Sequence, residues 1–289
     1  MIQRNDRCWC GSTKKWKQCH YPHLPSNAEG LRTYYLQTYG IILKSQEQIE
    51  GVRRASQLAA QILEALCQKA QAGVSTDELD ALAQHLHREA GAIAASLGYG
   101  FPPFPKSICT SLNEVICHGI PSSTVLKEGD IVNIDVATIL HGFFGDCNKM
   151  VAIGQIDEEK RRVVDVSYEC LHRSIAILKP GLALCAIGQE IEQYAQAHGC
   201  SVVNQFVGHG VGIAYHEPPH IPHHYNRIRT PLAEGMIFTI EPMINAGVRT
   251  AVIDPRDRWT ARTADGKPSA QWEHTLLITQ DGYEVLTQR

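Results

Sequence analysis

The chain has 289 residues, 44% apolar and 20% charged, which are the proportions of a globular protein able to bury a core. A formal net charge of −3 excludes a chain-wide attraction for nucleic acid or acidic membrane. No stretch approaches the roughly 20 consecutive apolar residues of a membrane span, and the opening "MIQRNDRCWC" has no hydrophobic signal region, so a cytoplasmic protein is expected.

Charge is uneven along the chain. Arg4, Arg7, Lys14, Lys15 and Lys17 against Asp6 give residues 1–20 a net charge of +4, leaving −7 for the remainder. Within this basic segment, "CWCGSTKKWKQCH" has the spacing C-x-C-x8-C-H. Three thiolates and an imidazole (Cys8, Cys10, Cys19 and His20) suit a closed, tetrahedral structural Zn²⁺ site. So short a segment cannot build its own apolar core, and metal binding would supply most of its folding free energy. The other seven cysteines, from Cys67 to Cys200, lie singly and read as reduced thiols. The stretch 8–20 resembles the SEC-C motif almost position for position. Residues 1–24 are therefore expected to form a SEC-C-like zinc module. Its lysines, with Trp9 and Trp16, suggest a docking surface for the ribosome or for an acidic protein such as a chaperone. Residues 25–44 are expected to be a linker that packs partly on the domain after it.

From residue 45 the sequence is duplicated. A long helix opens each half. The first is marked by Ser45 and Gln48 and by apolar positions from Ile49 to Leu66, the second by Val163, Val164, Leu171, Ile175 and Leu178. Two further helical units run from Gly73 to Gly91 and from Gly181 to Gly199, the first with a capping box in "STDE". Next come "NEVICHG" (113–119) and "NQFVGHG" (204–210). "LKEGDIVNID" (126–135) then aligns with "LAEGMIFTIE" (232–241), each ending in a carboxylate. The pattern predicts an α+β domain over residues 45–289, made of two pseudo-symmetric halves with antiparallel sheets and helices on one side. Its functional site should lie at the seam.

The first half brings Asp135 and Asp146 to that seam, and the second brings His209, Glu241 and Glu273. Carboxylates that end or open buried strands are costly unless cations or metals compensate them. Four carboxylates and one imidazole can hold two divalent ions sharing a water, with Mn²⁺, Fe²⁺, Co²⁺ and Zn²⁺ all suited. "HEPPH" (216–220) matches H-E-x-x-H, the helical signature of zinc metalloproteases. Pro218 and Pro219 exclude that reading, because each proline inside a helix costs about 3 kcal/mol.

"NEVICHGIP", "NIDVATILHGFFGDCNKM", "GHGVGIAYHEPP", "FTIEPM" and "QWEHT" resemble, in order, the signatures of type I methionine aminopeptidases over about residues 46–287. The resemblance implies the pita-bread fold. It implies a dinuclear centre held by Asp135, Asp146, His209, Glu241 and Glu273, whose shared hydroxide attacks the first peptide bond. It also implies that Glu241 carries the proton, that His118 binds and orients the substrate, and that His216 serves the scissile carbonyl. Family pocket positions map onto Phe101, Phe104, Cys109, Tyr215 and Trp259. Here "GYGFPPFPKS" departs from many relatives in carrying Phe for Tyr. The implied activity is removal of initiator methionine from nascent polypeptide N-termini, preferably before a small second residue. Nothing resembling a heptad seam appears, so a monomer is the default expectation. An X-Pro peptidase and a non-enzymatic binding protein of the same fold are the alternatives.

Overall fold

The computed structural model of the chain describes residues 4–8, 12–20 and 27–288. In the N-terminal segment, a bridge between Arg7 and Lys15 and a 3-10 helix at Trp16–Gln18 fold residues 12–20 back onto Cys8. Trp9, Cys10 and Gly11 lie outside the described residues. The span expected as a linker carries a helix, α1 (Ala28–Tyr39). Asn27 caps it by accepting from the Gly30 N–H at 2.7 Å, and Gly40 ends it in the left-handed conformation. Tyr34 and Tyr35 of α1 share one apolar cluster with Cys8 and Trp16 on one side and with Leu184 and Phe238 on the other. The N-terminal segment is thereby packed on the second half of the main domain.

In the first half, α2 (Gln46–Lys69) and α3 (Thr76–Glu89) start at Ser45 and Ser75, each in a reciprocal capping box with the residue three positions on. The strands of this half are β1 (Ile93–Ala94), β2 (Cys109–Leu112), β3 (Val115–Cys117), β4 (Ile131–Leu140) and β5 (Phe143–Ala152). The second half opens with α4 (Glu158–Ala176) and α5 (Cys185–Ala197). It continues with β6 (Ser201–Val202), β7 (Gly208–Gly210), β8 (Glu217–Ile221), β9 (Ile237–Ile240) and β10 (Met243–Asn245). The last strands are β11 (Ala251–Ile253), β12 (Ala261–Thr263), β13 (Ser269–Gln271), β14 (His274–Ile278) and β15 (Tyr283–Val285).

All strand pairings are antiparallel. β4 pairs with β5 over its whole length and carries β1 and β2 on its other side. The second half forms a sheet of order β15-β14-β9-β7-β8 and another of order β13-β10-β6. A third, β11-β12-β3, joins the halves, because β3 belongs to the first. Across the seam the Glu273 N–H donates to the Asn148 carbonyl at 3.3 Å.

Helix α2 lies on β4 and β5, and α4 on β10 and β13. The α2–β5 approach depends on Gly145, where a Cβ would lie 2.3 Å from the Ser56 backbone nitrogen. The repeat glycines 129 and 235 both turn the chain with left-handed φ, +88° and +83°, immediately before the equivalent strands β4 and β9. The duplicated Gly is thus a backbone requirement.

Candidate active site

Strand alternation sets the first half of the site. In the β4–β5 ladder Asp135 faces Asn148, and Asp146 lies two residues along β5 from Asn148. Asn133, Asp135, Asp146 and Asn148 therefore share one face of the sheet. The second half uses the same spacing: Glu241 follows Thr239 by two residues at the end of β9, and Glu273 follows Gln271 by two after β13. His209 is the middle residue of β7, next to a register shift, and its N–H donates to Thr239 Oγ1 at 3.0 Å.

These placements bring donor atoms of Asp146, His209 and Glu273 within 4.8 Å of one another. His209 Nε2 stands 3.7 Å from Asp146 Oδ2 and 3.5 Å from Glu241 Oε1. Asp135 lines the same cavity, of about 320 Å³, as do Asp146, His209, Glu241 and Glu273. All five residues expected at the seam meet in it.

The cluster is electrostatically incomplete as a purely protein assembly. Burial pushes Asp135 up to about 7 and Glu241 up to about 8. Asp146 and Glu273 are pushed well above the carboxylate range, first by burial and then by neighbouring carboxylates of the site. Burial, followed by the adjacent His216, lowers His209 to about 3, so a neutral imidazole lone pair is available. Asp146 Oδ1 is buried without a hydrogen-bond partner. Four acids crowded around a neutral imidazole, one oxygen unsatisfied, form a donor set that divalent cations fit.

Behind the donors runs a layer of buried amides and a hydroxyl. Asn133 Nδ2 donates to Asn148 Oδ1 at 2.8 Å, and Asn148 Nδ2 donates to Glu273 Oε2 at 2.8 Å. Thr239 Oγ1 and Gln271 Nε2 donate to the two oxygens of Glu241 at 2.8 and 3.0 Å. The expectations from sequence did not include these four residues. Their signal is the pattern N-x-D and D-x-N inside β4 and β5, where Asp135 lies mid-strand rather than at the strand's end, and T-x-E and Q-x-E at the ends of β9 and β13, a polar partner one period of two from each acid.

His118 occupies a left-handed conformation at φ 56°, an uncommon strain for a residue with a side chain. Its imidazole lies edge-on to Phe206 and Trp259, with centroids 5.4 and 5.9 Å away, and burial lowers its pKa to about 4. His216 stands at the cavity mouth, its ring 4.1 Å from that of His209 and 5.0 Å from that of Tyr99. "HEPPH" contains no helix. His216 ends a loop, and residues 217–221 are the extended strand β8.

Of the expected pocket residues, Phe104, Cys109, Tyr215 and Trp259 line the cavity. Phe101 does not. It is 84% exposed, with its ring turned outward under the Arg258 guanidinium at 5.6 Å. Gly100, at φ +72°, turns the chain just before it, so Tyr99 reaches the cavity while Phe101 is carried away. Ser96, Tyr99, Gln205, Phe206, Val207, His220 and Met243 also line the wall and were not among the expected residues.

A second cluster, Cys8, Cys19 and His20, lies in the N-terminal segment, with Cys8 Sγ 3.2 Å from His20 Nδ1. Three of the four expected zinc donors converge, and the fourth, Cys10, lies outside the described residues.

Residues 50–280 match metallopeptidase family M24, and residues 4–22 match the SEC-C motif. The chain is 58% identical over 287 residues to a Chlamydia pneumoniae protein named methionine aminopeptidase, and 57% identical to one of the same name from Chlamydia muridarum. In both cases 99% of this chain and 99% of the relative are covered. The crystal structure of methionine aminopeptidase from Rickettsia prowazekii superposes with a TM-score of 0.82 at 41% identity, covering 86% of this chain and 100% of its own.

Proposed function

The chain belongs to the methionine aminopeptidases of metallopeptidase family M24, with their pita-bread fold, and carries a SEC-C motif at its start; from that premise we propose how its site works. It removes the initiator methionine from nascent polypeptide N-termini, preferring a small second residue. The observation that carries this reading is the convergence of Asp135, Asp146, His209, Glu241 and Glu273 in one largely apolar cavity.

Those five side chains would hold two divalent ions, of Co, Mn, Fe or Zn. When bound, the ions supply Lewis acidity and lower the pKa of a water toward neutrality. The free α-amino group of the substrate binds beside Asp135. Only a chain terminus can then present its first peptide bond. His118, fixed between Phe206 and Trp259, orients the substrate backbone. His216 donates to the scissile carbonyl oxygen as negative charge develops there. Glu241, steadied by Thr239 and Gln271, would take the proton given up by the attacking water and pass it to the leaving amine. The methionine side chain fills the space between Phe104, Cys109, Tyr215 and Trp259, a soft wall suited to a thioether.

Residues 1–24 act as a separate zinc module, with Cys8, Cys10, Cys19 and His20 around a structural Zn²⁺, and residues 45–289 as the catalytic domain. The module contacts the ribosome or a chaperone, and the enzyme works in the cytoplasm as a monomer. Among the described residues no helix is long and apolar enough to cross a membrane.

The test is release of free methionine from Met-Ala-Ser, before and after chelation and after return of Mn²⁺ or Co²⁺. Release is expected to be metal-dependent and abolished by N-formylation. Preferential cleavage of Xaa-Pro dipeptides, or no release with any metal, would overturn the reading.

A further inference from the structure

Among the described residues Lys44 is the one buried lysine, 2% exposed, and no step above uses it. It precedes α2, in the segment joining α1 to the catalytic domain. Its backbone N–H donates to the Gly235 carbonyl at 2.7 Å, at the turn before β9. Its ammonium donates to the Ile42 carbonyl at 3.1 Å and to Glu217 Oε1. Glu217 is itself buried, and its other oxygen accepts from the Ala214 N–H at 3.2 Å. The carboxylate therefore bridges the lysine and the loop that ends in Tyr215 and His216.

That loop, residues 211–216, has no helix or strand. Gly212, at φ +133°, has room for no more than hydrogen: a Cβ there would lie 2.7 Å from Val52 and 3.4 Å from the Lys44 stem. The His216 ring is steadied by neighbouring rings, with Tyr215 at 4.3 Å and His209 at 4.1 Å. The Lys44–Glu217 pair is the charged anchor immediately behind it. A pair buried this deeply loses hydration on both sides, and removing either partner leaves the other uncompensated.

We propose that Lys44 is a positioning residue for His216: through Glu217 it holds the 211–217 loop so that the imidazole faces the carboxylate cluster. This rests on the role given to His216 under the proposed function. It also gives Glu217 of "HEPPH" a structural task unrelated to the base of a helical zinc protease.

The experiment is a double-mutant cycle on Met-Ala-Ser hydrolysis, using Lys44→Met and His216→Ala. Lys44→Met alone is expected to lower kcat by about tenfold or more while KM moves less than about threefold. In the His216→Ala background it should lower kcat little further, because it acts through the missing group. Metal stoichiometry should stay that of the unmutated protein. A wild-type kcat in Lys44→Met, or the same fold-loss in both backgrounds, overturns the proposal. A readout independent of activity is thermolysin cleavage around the exposed Ile213: Lys44→Met should speed it, and unchanged cleavage there also overturns the proposal. If Lys44→Met does not fold, Glu217→Gln serves in the same cycle, since it keeps an acceptor for the Ala214 N–H and removes the charge. Failure of the proposed function would show separately, as no methionine release by the unmutated protein.

Discussion

At the residue scale, the acids of the site depend on the uncharged residues two positions away. Asn148 is the clearest case, buried between Asn133 and Glu273 and hydrogen-bonded to both. Such a partner fixes which way the carboxylate lone pairs point and prevents Glu273 from rotating toward the protein. Asn148→Ala removes the donor to Glu273 Oε2 and leaves the amide of Asn133 one acceptor short. Because outer partners of metal ligands typically contribute a factor of about 10–100 in affinity, Asn148→Ala is expected to weaken divalent-ion binding by about that factor. Titration calorimetry on chelated protein measures it directly. Unchanged affinity would mean that Glu273 is held by its backbone alone. The acids were legible from sequence because the repeat pairs Asp135 with Glu241. Asn148 was legible in principle from strand alternation, but one polar residue in a strand is ordinarily read as solvent-facing until the sheet's other side is known. Phe101 shows the opposite failure: nothing in "GYGFPPFPKS" states which of two nearby aromatics the Gly100 turn directs inward, and the structure chooses Tyr99.

At the element scale, the N-terminal segment and α1 form a two-faced unit. Cys8 and Trp16 are buried with Tyr34 and Tyr35, whereas Arg4, Arg7, Lys14, Lys15 and Lys17 are all exposed. Apolar burial against the main domain and outward cations are what a tethered anion-binding module requires. Lys14, Lys15 and Lys17 lie within four consecutive residues, so reversing all three changes a local net charge by six without touching the apolar face. The triple Lys→Glu variant is therefore expected to lose ribosome co-sedimentation and to hydrolyse Met-Ala-Ser at the unmutated rate. Each lost phosphate contact should also flatten the salt dependence of binding, by a slope of roughly 0.7–0.9 per contact. Retained co-sedimentation would assign docking to another surface. The sequence showed the charge run and the ligand spacing of this unit. It did not show that residues 28–39 are a helix joining the segment to the second half, because Pro22, Pro25 and the tyrosines after them read as linker composition. What makes α1 a fixed element is tertiary burial of Tyr34 and Tyr35 rather than a strong local periodicity.

At the scale of the whole molecule, each half packs its long helix on its own sheet, α2 on β4 and β5 and α4 on β10 and β13, and the halves meet at a seam that concentrates carboxyl groups. The duplicated glycine turns made that architecture readable, because each is a local requirement repeated at an equivalent position, whereas both capping boxes belong to the first half. The closing sheet β11-β12-β3 was not readable, because a pairing between β3 and β12 spans about half the chain and leaves no local pattern. The charge at the seam sets how stability depends on pH. In the metal-free protein Asp135 is raised from 3.8 to about 7, and Glu241 from 4.5 to about 8, by burial. An unfolded chain releases both protons near the ordinary values, so between about pH 4 and pH 8 the folded state binds more protons than the unfolded one. Stability contributed by these groups is complete below the ordinary values and lost as pH rises through the raised ones. The chelated protein is thus expected to lose Tm steadily from about pH 5 to pH 8, opposite in sign to a fold stabilised by ionised carboxylates. Divalent ions replace the missing protons as compensating charge, so the metal-loaded protein should melt higher and show no such fall near neutrality. Thermal melts of chelated and Mn²⁺-loaded protein across that interval test the idea. A chelated Tm that is flat or rises with pH would show that the acids ionise freely without metal, and that the seam is more hydrated than its burial implies.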